Sequence, residues 1–431
     1  MKPHPEIAAK VAATRLIDTH EHLLEESRRL KPPRKEDWLY PCNDWSYLLL
    51  HYAGDDLTSA GMSRKDSERF WSPDVEPAEK WRLLEPLWPK VRHTGYVQAA
   101  RRTMADLFGE PELNAASCER VTERMRAAVK PGFYRTLLRD RCGIDQCHVN
   151  SLEHEFCETE QPDLLLQDLS INALGTDFQV DGYDVPGRPG RKAATLSEWY
   201  EVIDHRFELY GHKAVAVKTQ AAYGRRLDFR RVSQEQAEPL FAALARDPKS
   251  VSEGDRQLLA DHLFRRCVER ATDYGLPVKT HTGYYAGANG MPLDRVGRNA
   301  ADLCPLLQDF PNTRFVLFHM GYPYQHEMVA LAKQYTNVTV DLCWAWIVSP
   351  IATVRFLEEF LLAAPANKLL CFGGDYYPVE CVYGHSQIAR QGLTQALGSL
   401  VDQGWLTLAE ALDLVEPLCR GNALSLFPRR G

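Results

Sequence analysis

The stretch that decides the fold is residues 16–22, LIDTHEH, in which the apolar pair Leu16 and Ile17 leads to His20 and His22. Alternate side chains of a β-strand point to the same face, so both imidazoles can reach one metal ion. Histidines at this spacing also arise by chance, so the interpretation depends on the ends of the later strands. The stretch predicts a strand that carries metal ligands at its C-terminal end.

Eight strand-like runs alternate with helix-like segments along the chain. The first is 16–20, and the others follow after residue 140: 144–149, 164–169, 214–218, 277–281, 315–319, 338–342 and 369–375. Helical patterns lie between them, among them 256–274, 300–310, 325–334 and 354–363. This alternation predicts an α/β fold, a parallel (β/α)8 TIM barrel. An open doubly wound sheet is the competing architecture, but no glycine-rich phosphate loop follows the first strand.

A long excursion separates the first two strands. Residues 31–135 are largely helical in their apolar spacing and carry many aromatic side chains. Because they follow the C-terminal end of a barrel strand, we expect them to lie over the active-site face. The chain is therefore predicted to form a barrel from residues 1–30 and 136–431, with residues 31–135 as a helical cap insertion. The aromatic residues of the cap would also suit a subunit interface in a homo-oligomer.

The composition excludes several classes of function. With 51 basic and 58 acidic residues, the chain has a net charge of -7 and no electrostatic footprint for nucleic acid. No segment approaches the roughly 18 apolar residues of a membrane span, and the polar first residues lack the apolar core of a secretory signal. We expect a cytoplasmic protein without nucleic-acid or membrane partners, whose eleven scattered cysteines are reduced.

Metal-competent side chains recur where the predicted strands one, four, five, six and eight end: His20, His22, Lys218, His281, His319 and Asp375. Barrel enzymes keep their chemistry at these C-terminal strand ends. Imidazoles and a carboxylate suit zinc and related divalent ions, and such a metal lowers the pKa of bound water to about 7. Asp375 would then act as general base and later pass the proton to the leaving group.

Lys218 is the unusual member of this set, because an ammonium group repels a cation. It would be a ligand only as a neutral amine or as a carbamate, whose two oxygens bridge two metals. A buried ion pair with a carboxylate is the alternative. His281 and His319 have a structural alternative as well, a hydrogen bond from a core imidazole to a backbone carbonyl, and Asp375 is also placed to cap the next helix.

Residues just past the strand ends are the candidates for contact with a small-molecule substrate: Tyr223, Arg225 and Trp344. Among them Arg225 is the candidate for a substrate carboxylate, because its planar guanidinium suits bidentate recognition. The identity of the substrate does not follow from the sequence, since specificity lies in loops and in the cap, where no motif can be decoded.

The set of ligands resembles the metal centre of the amidohydrolase superfamily. Several segments look most like the amidohydrolase-2 group and its uronate-isomerase-like relatives: 281-HTGY-284, 319-HMGYP-323, 340-VDLCW-344 and 373-GGD-375. The resemblance implies that His20, His22 and Asp375 bind a divalent metal, most simply zinc. It further implies that His281 is a ligand, and that His319 either binds a second ion or polarises the substrate as a catalytic residue.

Three functions are open at this point. The first is metal-dependent hydrolysis of a C–N or C–O bond, in an amide, lactone or ester, through metal-activated water. The second is a uronate-isomerase-like isomerase or a metal-dependent decarboxylase that acts on a sugar acid or an aromatic acid. The third is a non-catalytic barrel. Uronate isomerases are not expected to use a lysine on strand four, so Lys218 favours a hydrolase-like site with two metals or a substrate-binding lysine.

Overall fold

The strands of the protein are short and follow the predicted order. A computed structural model describes residues 4–288, 290 and 292–427, and of residue 298 the backbone alone. The outer ends of the predicted barrel, residues 1–3 and 428–431, lie outside the described residues. The strands are β1 (Leu16–Glu21), β2 (Ile144–Val149), β3 (Leu165–Gln167), β4 (Leu169–Ser170), β5 (Val217–Thr219), β6 (Val278–Thr280), β7 (Phe315–Leu317), β8 (Val338–Asp341) and β9 (Leu369–Leu370).

The strands form a parallel barrel with two seams. β1, β2 and β3 pair in one sheet, and β4 to β9 pair in a second, with every neighbouring pair parallel. One seam falls at Asp168, which lies between β3 and β4. At the other seam, the N–H of Thr19 donates to the carbonyl of Phe372, and the N–H of Asp375 donates to the carbonyl of His20. The predicted (β/α)8 barrel is confirmed, with its third strand divided into β3 and β4.

Two strands end earlier than the sequence predicts. β7 ends at Leu317 and β9 at Leu370, so His319 and Asp375 lie in the segments that follow. Both residues have a φ of 62°, in the left-handed region, which is incompatible with a continuing strand. The chain therefore leaves the strand direction at each of these two side chains.

Helices alternate with the strands. They are α1 (Pro5–Ala13), α2 (Glu26–Arg29), α3 (His51–Ser59), α4 (Arg64–Phe70), α5 (Pro77–Leu84), α6 (Trp88–Val91), α7 (Gly95–Phe108), α8 (Ala115–Ala128), α9 (Leu196–Tyr210), α10 (Gln234–Arg246), α11 (Glu253–Asp273), α12 (Asn299–Asp302), α13 (Cys304–Asp309), α14 (Gln325–Gln334), α15 (Ala345–Val348), α16 (Pro350–Ala363), α17 (Val379–Asp402), α18 (Leu408–Glu416) and α19 (Asn422–Leu426). The predicted helix 300–310 is divided into α12 and α13, because Pro305 in the first turn of α13 cannot continue the preceding helix.

Helices α3 to α8 occupy the excursion between β1 and β2. The side chain of Thr94 caps the start of α7 by accepting from the N–H of Val97, and Gly109 ends the helix with a φ of 67°. A Cβ atom on Gly95 would lie 2.2 Å from the carbonyl oxygen of Ile347, so α7 packs directly on the backbone that follows β8. The division of the chain into a barrel and a separate cap remains a prediction.

Other expectations concern the surface and the thiols. All eleven cysteines are free, as predicted. Among the helices that the structure describes, none combines the length and the apolar character needed to cross a bilayer. Trp45 and Trp81 of the inserted segment are buried, whereas Trp38 is 56% exposed. A subunit interface formed by these aromatic residues remains a prediction.

Candidate metal centre

Two histidines of β1 and an aspartate after β9 converge at the C-terminal end of the barrel. The Nε2 atoms of His20 and His22 each lie 3.2 Å from Oδ1 of Asp375, and the two rings meet edge to face with centroids 4.7 Å apart. All three residues are buried. Two imidazole nitrogens and a carboxylate form the kind of donor set that holds zinc and similar divalent ions.

A second pair of histidines, His281 and His319, approaches Asp375 from the side of its other carboxylate oxygen, Oδ2. Nε2 of His319 lies 3.9 Å from Oδ2 of Asp375 and 3.0 Å from Nδ1 of His281. His281 follows β6 directly, and His319 lies just beyond β7. The structure thus brings together around one carboxylate the four histidines that the sequence places at the ends of three different strands.

The backbone fixes which nitrogen of three imidazoles carries hydrogen. Each ring has one nitrogen at a backbone carbonyl: Nδ1 of His22 at Asn150 (2.7 Å), Nδ1 of His319 at Cys343 (2.9 Å) and Nε2 of His281 at Tyr284 (2.9 Å). A carbonyl only accepts, so these nitrogens donate and the opposite nitrogens keep their lone pairs. Two lone pairs therefore face each other between His281 and His319, and that of His22 faces a carboxylate oxygen.

Such contacts between acceptors are unfavourable unless a cation lies between them. Burial disfavours the charged form of three of these rings, because a charged ring would lose its hydration. It lowers the pKa of His20 to about 3, that of His319 to about 4 and that of His281 well below its usual range. Neutral imidazole is the form that binds metal. The donor set therefore fits one or more divalent ions better than it fits a set of mutual hydrogen bonds.

Lys218 borders this site from β5. Its Nζ lies 3.3 Å from Nε2 of His20 and 4.9 Å from the centroid of the Phe318 ring. Burial lowers the pKa of Lys218 to about 8, which increases the fraction of neutral amine. Among the described residues, no carboxylate oxygen lies within 4.0 Å of Nζ, so the buried ion pair considered from the sequence is not formed.

Asp375 is held from several directions. The N–H of the preceding residue donates to Asp18 at 3.2 Å, and the N–H of the following residue donates to Glu21 at 2.6 Å. Burial raises the pKa of Asp18 to about 6 and that of Glu21 well above its usual range, which favours a proton on this pair. The hydroxyl of Tyr52, from α3, donates to the carbonyl of Asp375 at 2.6 Å. The inserted helices therefore contact the backbone of the proposed base.

Sequence reasoning missed these supporting residues. Two carboxylates inside the buried strand β1, Asp18 and Glu21, were a usable signal, because buried acidic groups are rare unless they are partnered. The thiol of Cys343, one of the eleven cysteines expected to be reduced, belongs to a second metal-competent group with His319 and Asp375. Burial raises the pKa of Cys343 well above its usual range, so the thiol stays protonated in this structure.

Aromatic rings line the approach to the histidines. The ring of Trp344 lies 5.1 Å from that of His319 and stacks on Tyr52 at 4.7 Å, and the ring of Tyr223 lies 4.6 Å from that of His281. The structure thus places two of the three predicted substrate-binding residues next to the histidines, and their role in binding substrate stays a prediction.

The third predicted substrate-binding residue is held by a carboxylate of the protein itself. The guanidinium of Arg225 forms an ion pair with the buried Asp261 of α11 and lies over the ring of Phe229, 4.9 Å from its centroid. Its Nη1 is buried and has no hydrogen-bond partner among the described residues, and contact with a substrate carboxylate stays a prediction.

Backbone strain is concentrated at this site. The non-glycine residues with positive φ in the described part of the chain are His319, Met320, Trp344 and Asp375. Each such residue costs about 1–3 kcal/mol, and residues of this kind cluster at active sites and ligand clamps. All four follow β7, β8 or β9, at the end of the barrel where the histidines converge.

A family model and a curated protein match the chain in sequence. The family model described as amidohydrolase matches residues 180–429. Over 264 residues the chain is 26% identical to the protein fluG of Emericella nidulans. That match covers 58% of this chain and 30% of fluG, so the chain spans less than a third of the length of this curated relative.

Solved structures of low sequence identity share the fold. A uronate isomerase from Thermotoga maritima has a TM-score of 0.76 at 16% identity, covering 98% of this chain and 96% of its own. A glucuronate isomerase from Caulobacter crescentus has a TM-score of 0.74 at 19% identity, covering 99% and 94%. A protein from Lactobacillus casei described as a metal-dependent hydrolase has a TM-score of 0.67 at 15% identity, covering 98% and 97%.

Proposed function

The chain belongs to the amidohydrolase family, and from that premise we propose that it hydrolyses a C–N or C–O bond of a small molecule, such as an amide, lactone or ester. His20, His22 and Asp375 hold a divalent metal in this proposal, and zinc is the metal that suits the donor set best. His281 and His319 supply further nitrogen ligands.

One observation carries the proposal. The lone pairs of His281 and His319 face each other at 3.0 Å, and that of His22 faces Oδ1 of Asp375 at 3.2 Å. Backbone carbonyls fix the hydrogens of all three rings on the far side, so none of these contacts can become a hydrogen bond by a change of tautomer without the loss of another. A bound cation removes this conflict.

The residues have distinct roles in the reaction. A divalent ion in this site would polarise the substrate and supply hydroxide near neutral pH. Oδ1 of Asp375 faces His20 and His22, whereas Oδ2 lies 3.9 Å from Nε2 of His319. Oδ2 would accept the proton of the attacking water and deliver it to the leaving group. Nε2 of His319 carries no hydrogen, so it cannot donate to a substrate carbonyl and serves as a ligand.

Lys218 supports a site with two ions. Its amine lies next to Nε2 of His20, and its lowered pKa favours the neutral form. The neutral amine would add to carbon dioxide with loss of one proton to solvent, and the carbamate would offer two oxygens as ligands in addition to the four histidines. An unmodified Lys218 with a single ion is the alternative, and the metal content distinguishes the two.

A second candidate is the isomerisation of a sugar acid. The fold shared with two uronate isomerases favours it, and the same metal would polarise a carbonyl or hydroxyl. Hydrolysis is preferred because a lysine at the position of Lys218 is not expected in uronate isomerases. Decarboxylation of an aromatic acid needs the same site, and release of carbon dioxide from aromatic acids added to the screen below tests it.

The experiment is a substrate screen with metal-reconstituted protein. Lactones, N-acyl compounds and uronates are incubated with the protein after loading with zinc or manganese. We expect hydrolysis of a lactone or N-acyl compound, its loss in Asp375→Asn with most of the metal retained, and unchanged rates in His326→Gln, whose imidazole is 74% exposed. Isomerisation of a uronate without hydrolysis would refute the proposal, and so would failure to bind metal.

A further inference from the structure

A second buried cluster lies on the opposite edge of the His20 ring from Asp375. The ammonium of Lys279, on β6, lies 2.9 Å from both carboxylate oxygens of Asp168 and donates to the carbonyl of Thr19 at 2.8 Å. Nδ1 of His148, on β2, lies 3.2 Å from the same ammonium. All of these side chains are buried. The cluster joins β1, β2 and β6 to the seam between β3 and β4.

The two nitrogens of His20 face different groups. Nε2 faces the candidate metal centre, whereas Nδ1 lies 3.7 Å from Oδ2 of Asp168. Nδ1 is buried and has no hydrogen-bond partner among the described residues. A neutral imidazole carries one hydrogen, and in the metal-free protein the carboxylates of Asp375, at Nε2, and Asp168, at Nδ1, compete for it. A cation bound between Nε2 and Asp375 would leave Asp168 as the carboxylate that accepts the hydrogen from Nδ1. Unlike the other three histidines, His20 has no backbone carbonyl among the described residues that fixes its tautomer.

The fold places Asp168 for this task. β3 ends at Gln167 and β4 begins at Leu169, so Asp168 belongs to neither strand and interrupts the ladder at this point. A buried carboxylate is costly unless it is paired, and Lys279 provides the countercharge from across the barrel. The contact of Lys279 with the carbonyl of Thr19 also fixes the backbone immediately before His20.

We propose that Asp168 is a positioning residue that keeps the hydrogen of His20 on Nδ1, so that the Nε2 lone pair points to the metal, and that Lys279 holds Asp168 in place. The proposal rests on the proposed function, because it requires His20 to be a metal ligand. Neither Asp168 nor Lys279 touches the substrate or the metal in this account.

The inserted helices contain a matched control. Lys80 and Asp44 form another buried ion pair, with Nζ 2.6 Å from Oδ2, and Nζ of Lys80 also donates to Ser46. Both side chains are almost fully buried, as in the pair of Lys279 and Asp168. Removal of either pair deletes one buried cation and one buried anion, but only the pair of Lys279 and Asp168 adjoins a predicted metal ligand.

The first test compares the double variants D168N/K279M and D44N/K80M, in which the charges remain balanced so that each chain can fold. The probe is Co²⁺, whose affinity is measured by competition with a chelator and whose visible spectrum reports the ligand geometry. We expect D168N/K279M to lose about 10- to 100-fold in affinity with an altered spectrum, as for other residues that orient a ligand. D44N/K80M should match the wild type. Equal affinity and spectra in both double variants would overturn the proposal.

The second test needs no variant of the cluster. The protein is labelled with ¹⁵N-histidine, and the His20 signals are assigned by their loss in His20→Gln. The measurement is made on metal-free Asp375→Ala, in which the competing carboxylate at Nε2 is removed. The proposal predicts hydrogen on Nδ1 in this protein, and hydrogen on Nε2 would overturn it. This measurement separates the two proposals: a wild type that binds no Co²⁺ contradicts the proposed function, whereas the tautomer tests the role of Asp168 by itself.

Discussion

Two lysines occupy equivalent positions on neighbouring strands, with opposite surroundings. Lys218 of β5 pairs in register with Lys279 of β6, and both side chains are buried. The ammonium of Lys279 is surrounded by a carboxylate, a carbonyl and an imidazole nitrogen. Among the described residues, Nζ of Lys218 lies 3.3 Å from the imidazole nitrogen Nε2 of His20 and over the aromatic ring of Phe318, with no carboxylate oxygen within 4.0 Å.

Burial has opposite consequences for the two ammonium groups. A fully partnered lysine is a structural charge, because its desolvation is offset by ion pairing and hydrogen bonds. A buried lysine without a carboxylate partner is destabilised as an ammonium and tends toward the neutral, reactive amine. Lys279 is therefore expected to stabilise the barrel, and Lys218 to take part in the chemistry.

The largest expected effect is on stability. Lys279→Met leaves the buried Asp168 without its countercharge, and breaking a buried pair in this way costs about 3–5 kcal/mol. Lys218→Met leaves no such orphan and should not lower the free energy of unfolding of the metal-free protein. Urea denaturation of both variants provides the measurement. Equal losses of unfolding free energy in the two variants would show that the two lysines do not differ in their contribution to stability.

The next largest effect is on turnover, and here the important lysine is Lys218. Lys218→Met removes the group that would join two ions, and we expect kcat to fall about 100- to 1,000-fold, equivalent to the several kcal/mol that a bound ion contributes. The metal content should fall from two ions per chain to one. Rates are measured with the substrate found in the screen, and Lys218→Arg serves as a charge-preserving control with the same expected loss. Full activity in either variant would show that Lys218 has no role in the reaction.

The smallest effect concerns the partners of Lys279. His148→Leu removes one acceptor from its ammonium and should cost about 1.5–3 kcal/mol of stability, the range for a hydrogen bond to a charged group. In a double-mutant cycle, the cost should shrink in the Lys279→Met background and remain unchanged in the Lys218→Met background. Additive costs in all backgrounds would show that His148 does not act through Lys279.

Much of the barrel and its ligand set follows from the sequence alone. Apolar runs that lead to His20 or His281 carry both the strand and the candidate ligands in a few adjacent residues, so a local pattern is sufficient. The exact strand ends do not follow, because the backbone is left-handed at His319 and Asp375, and neither residue is a glycine that would mark such a position in the sequence.

Pairings across the barrel are beyond local patterns. Asp168 and Lys279 are 111 positions apart, and nothing in the residues around either one indicates the other. The same limit applies to Arg225, whose ion-pair partner Asp261 lies on a helix 36 positions later. Partners of this kind are therefore visible only once the fold is known.

The most direct test of the proposed metal site is an anomalous difference map from crystals grown with zinc, with data recorded at the zinc absorption edge. We expect a strong peak from an ion that is bound by Nε2 of His20, Nε2 of His22 and a carboxylate oxygen of Asp375. A second peak at His281 and His319, with added density on Nζ of Lys218, would mark the two-ion form. Absence of any peak at His20, His22 and Asp375 would contradict the proposed metal site.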